Sequence, residues 1–277
     1  MSVNITAAQV NDLRKQTGAG MMDCRKALTE TGGDFEAAID WLRKKGQKVA
    51  ANRSDREAKE GVVIAKAEGT YGIIISLSSE TDFVAKNQEF IDFANRLADI
   101  ALDTKADSIE ALKSAKMDGV TVSDKLLEMV AKIGEKIDIT RFEQVEAEHV
   151  VPYIHGNYRI AVLVGMNKPH AEHIHTAGRD IAMQIAAMSP MAVDEKGISG
   201  ETLERERKIA IEQIVAEGKP QEMAEKIAQG KLNKFFKENT LLPQAFVKDN
   251  NKTVADYLKS VESDLTVIGF KRVAVGS

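Results

Sequence analysis

Residues 61–77 read Gly61-Val62-Val63-Ile64-Ala65-Lys66-Ala67-Glu68-Gly69-Thr70-Tyr71-Gly72-Ile73-Ile74-Ile75-Ser76-Leu77, and the fold turns on them. The period here is that of strands. Val62 to Ala65 and Tyr71 to Leu77 are β-branched runs, and Glu68-Gly69-Thr70 between them suits a hairpin loop. A helical segment follows from Asn87, with Phe90, Phe93, Leu97 and Ile100 at spacings of three and four. The same order of strand, turn, strand, loop and helix returns further on. Val150 to Ile154, the turn His155-Gly156-Asn157, Tyr158 to Val164, the loop Met166 to Pro169 and a helix through Ile181 and Ile185 reproduce it. Tyr71 and Tyr158 are 87 positions apart, and that offset also carries the Asn87 helix onto the one holding Ile181. The repeat predicts an α+β protein with two related halves, each a small antiparallel sheet covered by helices. The β-branched stretch Leu265 to Val275 is expected to return to the second sheet as an added strand.

Upstream, from Ile5 to Lys45, apolar residues recur at helical spacing in three short groups. Val10 and Leu13 share a face in the first, Met22 and Leu28 belong to the second, and Phe35, Ala38, Ile39 and Leu42 form the stripe of the third. Thr17-Gly18-Ala19-Gly20 separates the first two; Gly32-Gly33-Asp34 ends the second and offers Asp34 as N-cap of the third. This predicts a three-helix bundle. From Arg43 to Glu60 the chain is charged, with almost nothing large and apolar after Val49, as in a linker or solvated helix. Downstream, Gly200 to Glu238 is helical and charged. Leu203, Ile211 and Ile214 share a face, Gly218-Lys219-Pro220 breaks the chain, and Met223 and Ile227 resume, which predicts an antiparallel helical hairpin. The expected division is a three-helix domain (1–50), a linker (51–60), core halves at 61–140 and 141–199, an inserted hairpin (200–240) and a return to the second half (241–277).

With 277 residues, 43% hydrophobic and 29% charged, the chain is long enough for more than one domain and too apolar to be disordered. Lys and Arg total 38 against 42 Asp and Glu, a net charge of −4. Affinity for nucleic acid comes largely from neutralising phosphates, so direct nucleic-acid binding is disfavoured. The single Cys24 can form no intrachain disulfide. No signal-like apolar run precedes Arg14, and the longest apolar run, Gly72 to Leu77, is far short of the ~20 residues that cross a bilayer. A cytoplasmic protein that does not enter membranes is expected.

Few residues suggest covalent chemistry. His170, His173 and His175 cluster in sequence, but on a helix His175 turns away from His173, so a solvated, helix-capping cluster is favoured over a metal site. Thr17-Gly18-Ala19-Gly20 follows a helix and lacks a lysine in the cradle position, which makes it a turn and not a phosphate loop. No nucleophile elbow occurs, and Cys24 falls inside an amphipathic helix. Catalytic residues, metal ligands and cofactors are therefore not expected. A stronger signal is Glu80-Thr81-Asp82-Phe83-Val84-Ala85-Lys86-Asn87, which places Phe83 and Val84 in a loop that is ordinarily polar. Phe83 is either a staple tucked under the next helix or a wedge held out for a partner. The residues alone leave both open.

Two of these segments resemble a known family. Leu13-Arg14-Lys15-Gln16-Thr17-Gly18-Ala19-Gly20-Met21-Met22-Asp23-Cys24-Arg25-Lys26-Ala27-Leu28 is similar to the N-terminal signature of the bacterial elongation factor Ts family, and Thr81-Asp82-Phe83-Val84-Ala85-Lys86 to its second. The order of parts matches over essentially the whole chain. Ser76-Leu77-Ser78-Ser79-Glu80 departs from the family's usual Glu, apolar, Asn, small pattern before the second motif. The resemblance implies a ubiquitin-associated-like N-terminal bundle, a two-part core, an inserted coiled-coil hairpin and non-catalytic guanine-nucleotide exchange on elongation factor Tu. It implies that Asp82 and Phe83, within the turn Thr81 to Val84, enter the GTPase near its magnesium and displace the ion. Arg14, Met21, Met22, His155 and Gly156 would be further partner contacts, core packing being the other reading of the methionines. Some members continue into a C-terminal helical module, a contact expected to be absent or replaced here. Whether the hairpin or the core serves dimerisation or a second partner contact stays open.

Overall fold

The computed structural model describes residues 4–218 and 220–277; Lys219, in the expected break of the hairpin, lies outside them. Three helices come first, α1 (Ala7–Thr17), α2 (Met21–Glu30) and α3 (Phe35–Asn52). Thr6 and Gln9 form a capping box at the start of α1, and Asp34 accepts the Ala37 amide at 3.0 Å at the start of α3. These side chains take up amides that no carbonyl of the first turn reaches. Gly18 ends α1 at φ 69°, a left-handed position that glycine fills without a Cβ clash. Leu13, Cys24, Ala27, Leu28, Ala38 and Leu42 form the core between the three. Met22, assigned to the stripe of α2, is instead 74% exposed. α3 continues through the charged residues to Asn52, because its later turns pack on a helix met further along the chain.

The first sheet and its helices follow: β1 (Glu60–Glu68), β2 (Tyr71–Ser79), α4 (Asp82–Ala85), α5 (Gln88–Thr104), α6 (Ile109–Ser114), β3 (Lys116–Met117), β4 (Val120–Thr121), α7 (Val122–Ile133) and β5 (Asp138–Glu146). The strand order is β1-β2-β5. The central strand, β2, is buried along its whole length, which explains why Ile73, Ile74 and Ile75 are contiguous and not alternating. The serines of the atypical stretch are satisfied inside. Ser78 Oγ lies 2.7 Å from Thr140 Oγ1 on β5, and Ser79 Oγ donates to the Thr81 carbonyl at 3.0 Å. The sequence reading did not anticipate β5, whose Arg141, Phe142, Glu143 and Gln144 show no apolar run.

The second sheet repeats the plan with β6 (His149–His155), β7 (Ile160–Met166), α8 (Glu172–Met188) and, after an excursion, β10 (Val267–Ala274). Its order is β10-β7-β6, so the hairpin's second strand is again central and a later strand pairs with it. The pairing of β6 with β7 runs from His149 opposite Met166 to His155 opposite Ile160. Tyr158, expected to open the strand, lies in the turn with φ 67°. The excursion holds α9 (Gly200–Ala216), α10 (Gln221–Asn239), β8 (Ala245–Phe246), β9 (Asp249–Thr253) and α11 (Val254–Val261). Ala210 and Ile214 of α9 meet Ala224 and Ala228 of α10; Met223 is exposed, outside that seam. The root of this hairpin is tied where the chain enters and leaves. Met191 N–H donates to the Asn239 carbonyl at 2.8 Å, Leu241 N–H to the Ala192 carbonyl at 2.9 Å, and buried Gln184 links Gln244, Ala245 and Val247.

The described residues form two compact units: one holds the chain to Ile64, Ile74–Phe142 and Val273–Ser277, the other Ala65–Ile73 and Glu143–Arg272. Among the described residues no helix is long and apolar enough to cross a membrane.

Gly46 marks the closest approach of α3 to α7, since a Cβ there would sit 2.6 Å from the Leu127 carbonyl oxygen. Helix propensity favours alanine by ~0.5 to 1 kcal/mol, but forcing two helices apart costs ~1 to 3 kcal/mol. Gly46→Ala is therefore expected to lower stability in urea denaturation, and a gain would show that α3 slides freely on α7.

Candidate functional site

The turn after β2 is built around a ring left in water. Phe83, second residue of the four-residue α4, is 83% exposed. It is not a staple. Thr81 caps the turn, its Oγ1 accepting the Val84 amide at 3.5 Å, while Ala85 is buried and anchors the far end. So short a helix cannot hold itself, because nucleating one turn fixes several residues for a single hydrogen bond. Its rigidity comes from two carboxylates. Glu135 accepts from Thr81 N at 3.0 Å and from Thr81 Oγ1 at 2.7 Å. Glu80 receives Arg53 at 2.7 Å, Arg56 at 3.5 Å and the Lys136 amide at 2.6 Å. Desolvation alone would push Glu80 up, but the Lys136 amide and the two arginines hold it below the usual carboxylate range. The segment read as a linker thus sends Arg53 and Arg56 to brace the loop.

Asp82, beside the ring, is half exposed and bonded to Lys86 Nζ at 2.6 Å, which holds its carboxyl below the ordinary range. Val84 is half-buried. The four residues Thr81 to Val84 therefore present one ionised carboxylate and one apolar ring on a fixed turn. On the bundle, Met21 is 54% exposed and lines a recess with Arg14, Gly18 and Gly20, while Met22 borders a second with Ile5, Val10 and Arg25. Core packing is excluded for both methionines. In the other compact unit, His155 and Gly156 are exposed at the end of β6, and Tyr153 Oη lies 2.9 Å from His155 Nδ1 and fixes the ring. Gly156, at φ 62°, makes that turn.

The histidines regroup. His173 turns to Glu262, its Nε2 2.7 Å from Oε2. His170 and His175 meet His149 instead, and the buried His149 makes the cluster more than a solvated cap. Burial first, then the neighbouring imidazoles, pushes His149 below the usual imidazole range. The Gly69 backbone acts in the opposite direction, and Nδ1 is buried with no hydrogen-bond partner. Burial likewise raises the Cys24 thiol, which keeps it protonated and unreactive.

The family model described as elongation factor TS matches residues 80–277, starting at the foot of the exposed turn. Proteins named elongation factor Ts are similar over nearly the full length: one from Christiangramia forsetii is 53% identical over 274 residues, covering 98% of this chain and 99% of its own. This chain belongs to the elongation factor Ts family. One member from Amoebophilus asiaticus is 51% identical over 275 residues, covering 99% of each chain, and one from Xanthobacter autotrophicus is 46% identical over 286 residues, covering 98% and 92%. The full-length relatives carry the match through the three N-terminal helices, which precede the span of the family model. The protein is thus one of the translation elongation factors.

If the turn is braced from behind and its ring touches little, stability separates the two roles. Phe83→Ala is expected to leave the unfolding free energy measured in urea unchanged within ~0.5 kcal/mol. Glu135→Ala, which strands the Thr81 amide and hydroxyl, is expected to cost ~1 to 3 kcal/mol. A larger loss from Phe83→Ala than from Glu135→Ala would mean that the ring packs inward in solution.

Proposed function

We propose that this member of the elongation factor Ts family is a non-catalytic guanine-nucleotide exchange factor that binds elongation factor Tu in the cytoplasm, displaces magnesium and promotes GDP release. The observation carrying the reading is Phe83, 83% exposed on a turn clamped by Glu80 and Glu135, with ionised Asp82 beside it. A carboxylate brought to a bound Mg2+ competes with the ligands that hold it, and the ring then occupies apolar space that the tight nucleotide-bound form needs closed. Arg14, Met21, Met22, His155 and Gly156 offer further contacts.

The energetics require that breadth. An exchange factor works by linkage: it binds the nucleotide-free GTPase more tightly, so nucleotide is held more weakly while the factor is attached. A nanomolar nucleotide complex represents ~12 kcal/mol. Burying one phenylalanine supplies ~1.5 to 3 kcal/mol, or one to two decades of an equilibrium constant. Loss of magnesium coordination and the distributed surface must supply the rest.

Stopped-flow release of a fluorescent guanine nucleotide from elongation factor Tu tests the reading, and acceleration by the purified chain is the expected outcome. Binding without acceleration would favour an adaptor. Phe83→Ala is expected to slow release at least tenfold with the fold intact. Asp82→Ala should slow release most when magnesium is present; equal effects with and without chelator would contradict ion displacement.

A further inference from the structure

The second compact unit gathers three imidazoles for which nucleotide exchange has no use. His149 opens β6, His170 ends the loop before α8, and His175 lies in the first turns of α8. His149 Nε2 is 3.1 Å from His175 Nδ1 and 3.4 Å from His170 Nδ1, and one nitrogen from each ring lies within 4.8 Å of the others. The ring planes are inclined at 49° to 69°, so the rings splay outward while their nitrogens converge.

Hydrogen bonding alone uses this arrangement poorly. Each ring nitrogen carries one in-plane site, either a proton or a lone pair. His149 Nε2 can therefore make a well-aligned bond to only one of its two neighbours, leaving the third nitrogen facing another without a proton between them. A cation drawn between them serves all three nitrogens once the widest pair, within 4.8 Å of each other, closes by a small swing of the exposed His170 ring. Tetrahedral coordination with metal–nitrogen bonds of ~2.0 to 2.1 Å separates ligand nitrogens by roughly 3.3 to 3.4 Å, close to the two contacts above.

We propose that His149, His170 and His175 bind one borderline divalent transition-metal ion of the zinc class, with water in the fourth position. The donor set chooses the class: three imidazoles with no carboxylate suit zinc, copper or nickel and not calcium or magnesium. His170 is exposed, so the fourth position opens to solvent. His173 is excluded because Glu262 holds it. The ligands come from a strand, a loop and a helix, so the ion would staple the start of β6 to the start of α8. His155 lies at the opposite end of β6, six residues and ~20 Å along the strand, which separates this site from the proposed partner contact and makes it independent of the exchange reading.

The test uses the full-length chain without a histidine tag, stripped with chelator and dialysed. Zinc titrated against a chromophoric chelator is expected to bind one per chain, and Co2+ in its place should give the intense visible absorption of a tetrahedral site. His170→Ala, whose ring is exposed, should keep the fold by circular dichroism and weaken zinc binding at least tenfold; His173→Ala should bind as the parent does. Zinc should raise the melting temperature of the parent and not of His170→Ala. Failure of the parent to bind one equivalent, a weak octahedral cobalt spectrum, or equal affinity in the His170→Ala and His173→Ala variants would overturn the assignment.

Discussion

Two half-buried carboxylates, Glu80 and Glu135, make the exposed turn possible. A single helical turn bearing a phenylalanine in water has no reason of its own to persist: its internal hydrogen bonds are too few, and the ring gains by collapsing inward. Glu135 takes both donors of Thr81, and Glu80 ties the strand end to Arg53 and to the Lys136 amide. The base of the turn is thereby fixed by charge-assisted bonds, which are roughly twice as strong as neutral ones. Behind it stands β2, buried from end to end, whose serines bond to Thr140 and to the Thr81 carbonyl. Inside the sheet those hydroxyls are affordable only because each has a partner.

Much of this fold was legible in the sequence, for physical reasons that can be named. A fully buried central strand must be apolar on both faces, so Ile73-Ile74-Ile75 announced itself, and the 87-residue offset exposed the second copy with α8 in place of α5. The third strands were unequal. Both lie at sheet edges, but β10 has Val267, Ile268 and Val273, whereas β5 carries Arg141, Glu143 and Gln144 through its middle, so only β10 leaves an apolar signal in the sequence. The seam of the helical hairpin was misread at Met223 because the close packing there uses alanines, which hydrophobic spacing weighs lightly.

The site was legible at its tip and illegible at its base. Phe83 and Asp82 are adjacent in sequence, so their chemistry could be seen; their exposure could not, since a staple and a wedge have the same pattern. The decision lies with partners 54 and 56 residues away, Glu135 for Thr81 and Lys136 for Glu80, and no local spacing encodes them. The histidine cluster failed for the same reason. His149 reaches His170 and His175 only because strand pairing sets it opposite Met166, four residues before His170.

Rigidity at the base bears directly on how the proposed exchange would work. A loop that had to order on contact would lose ~0.5 to 1.5 kcal/mol for each immobilised side chain, a substantial part of the ~1.5 to 3 kcal/mol that one buried phenylalanine returns. Because the clamp orders the turn before any encounter, that loss falls on folding of the factor. Under the proposed exchange, the burial energy of Phe83 would then be free to appear as weakened nucleotide binding. The same reasoning explains why the braces are carboxylates of the factor itself and not groups of the partner: a brace supplied by the GTPase would act only after contact, and would have to be broken again before the factor could leave.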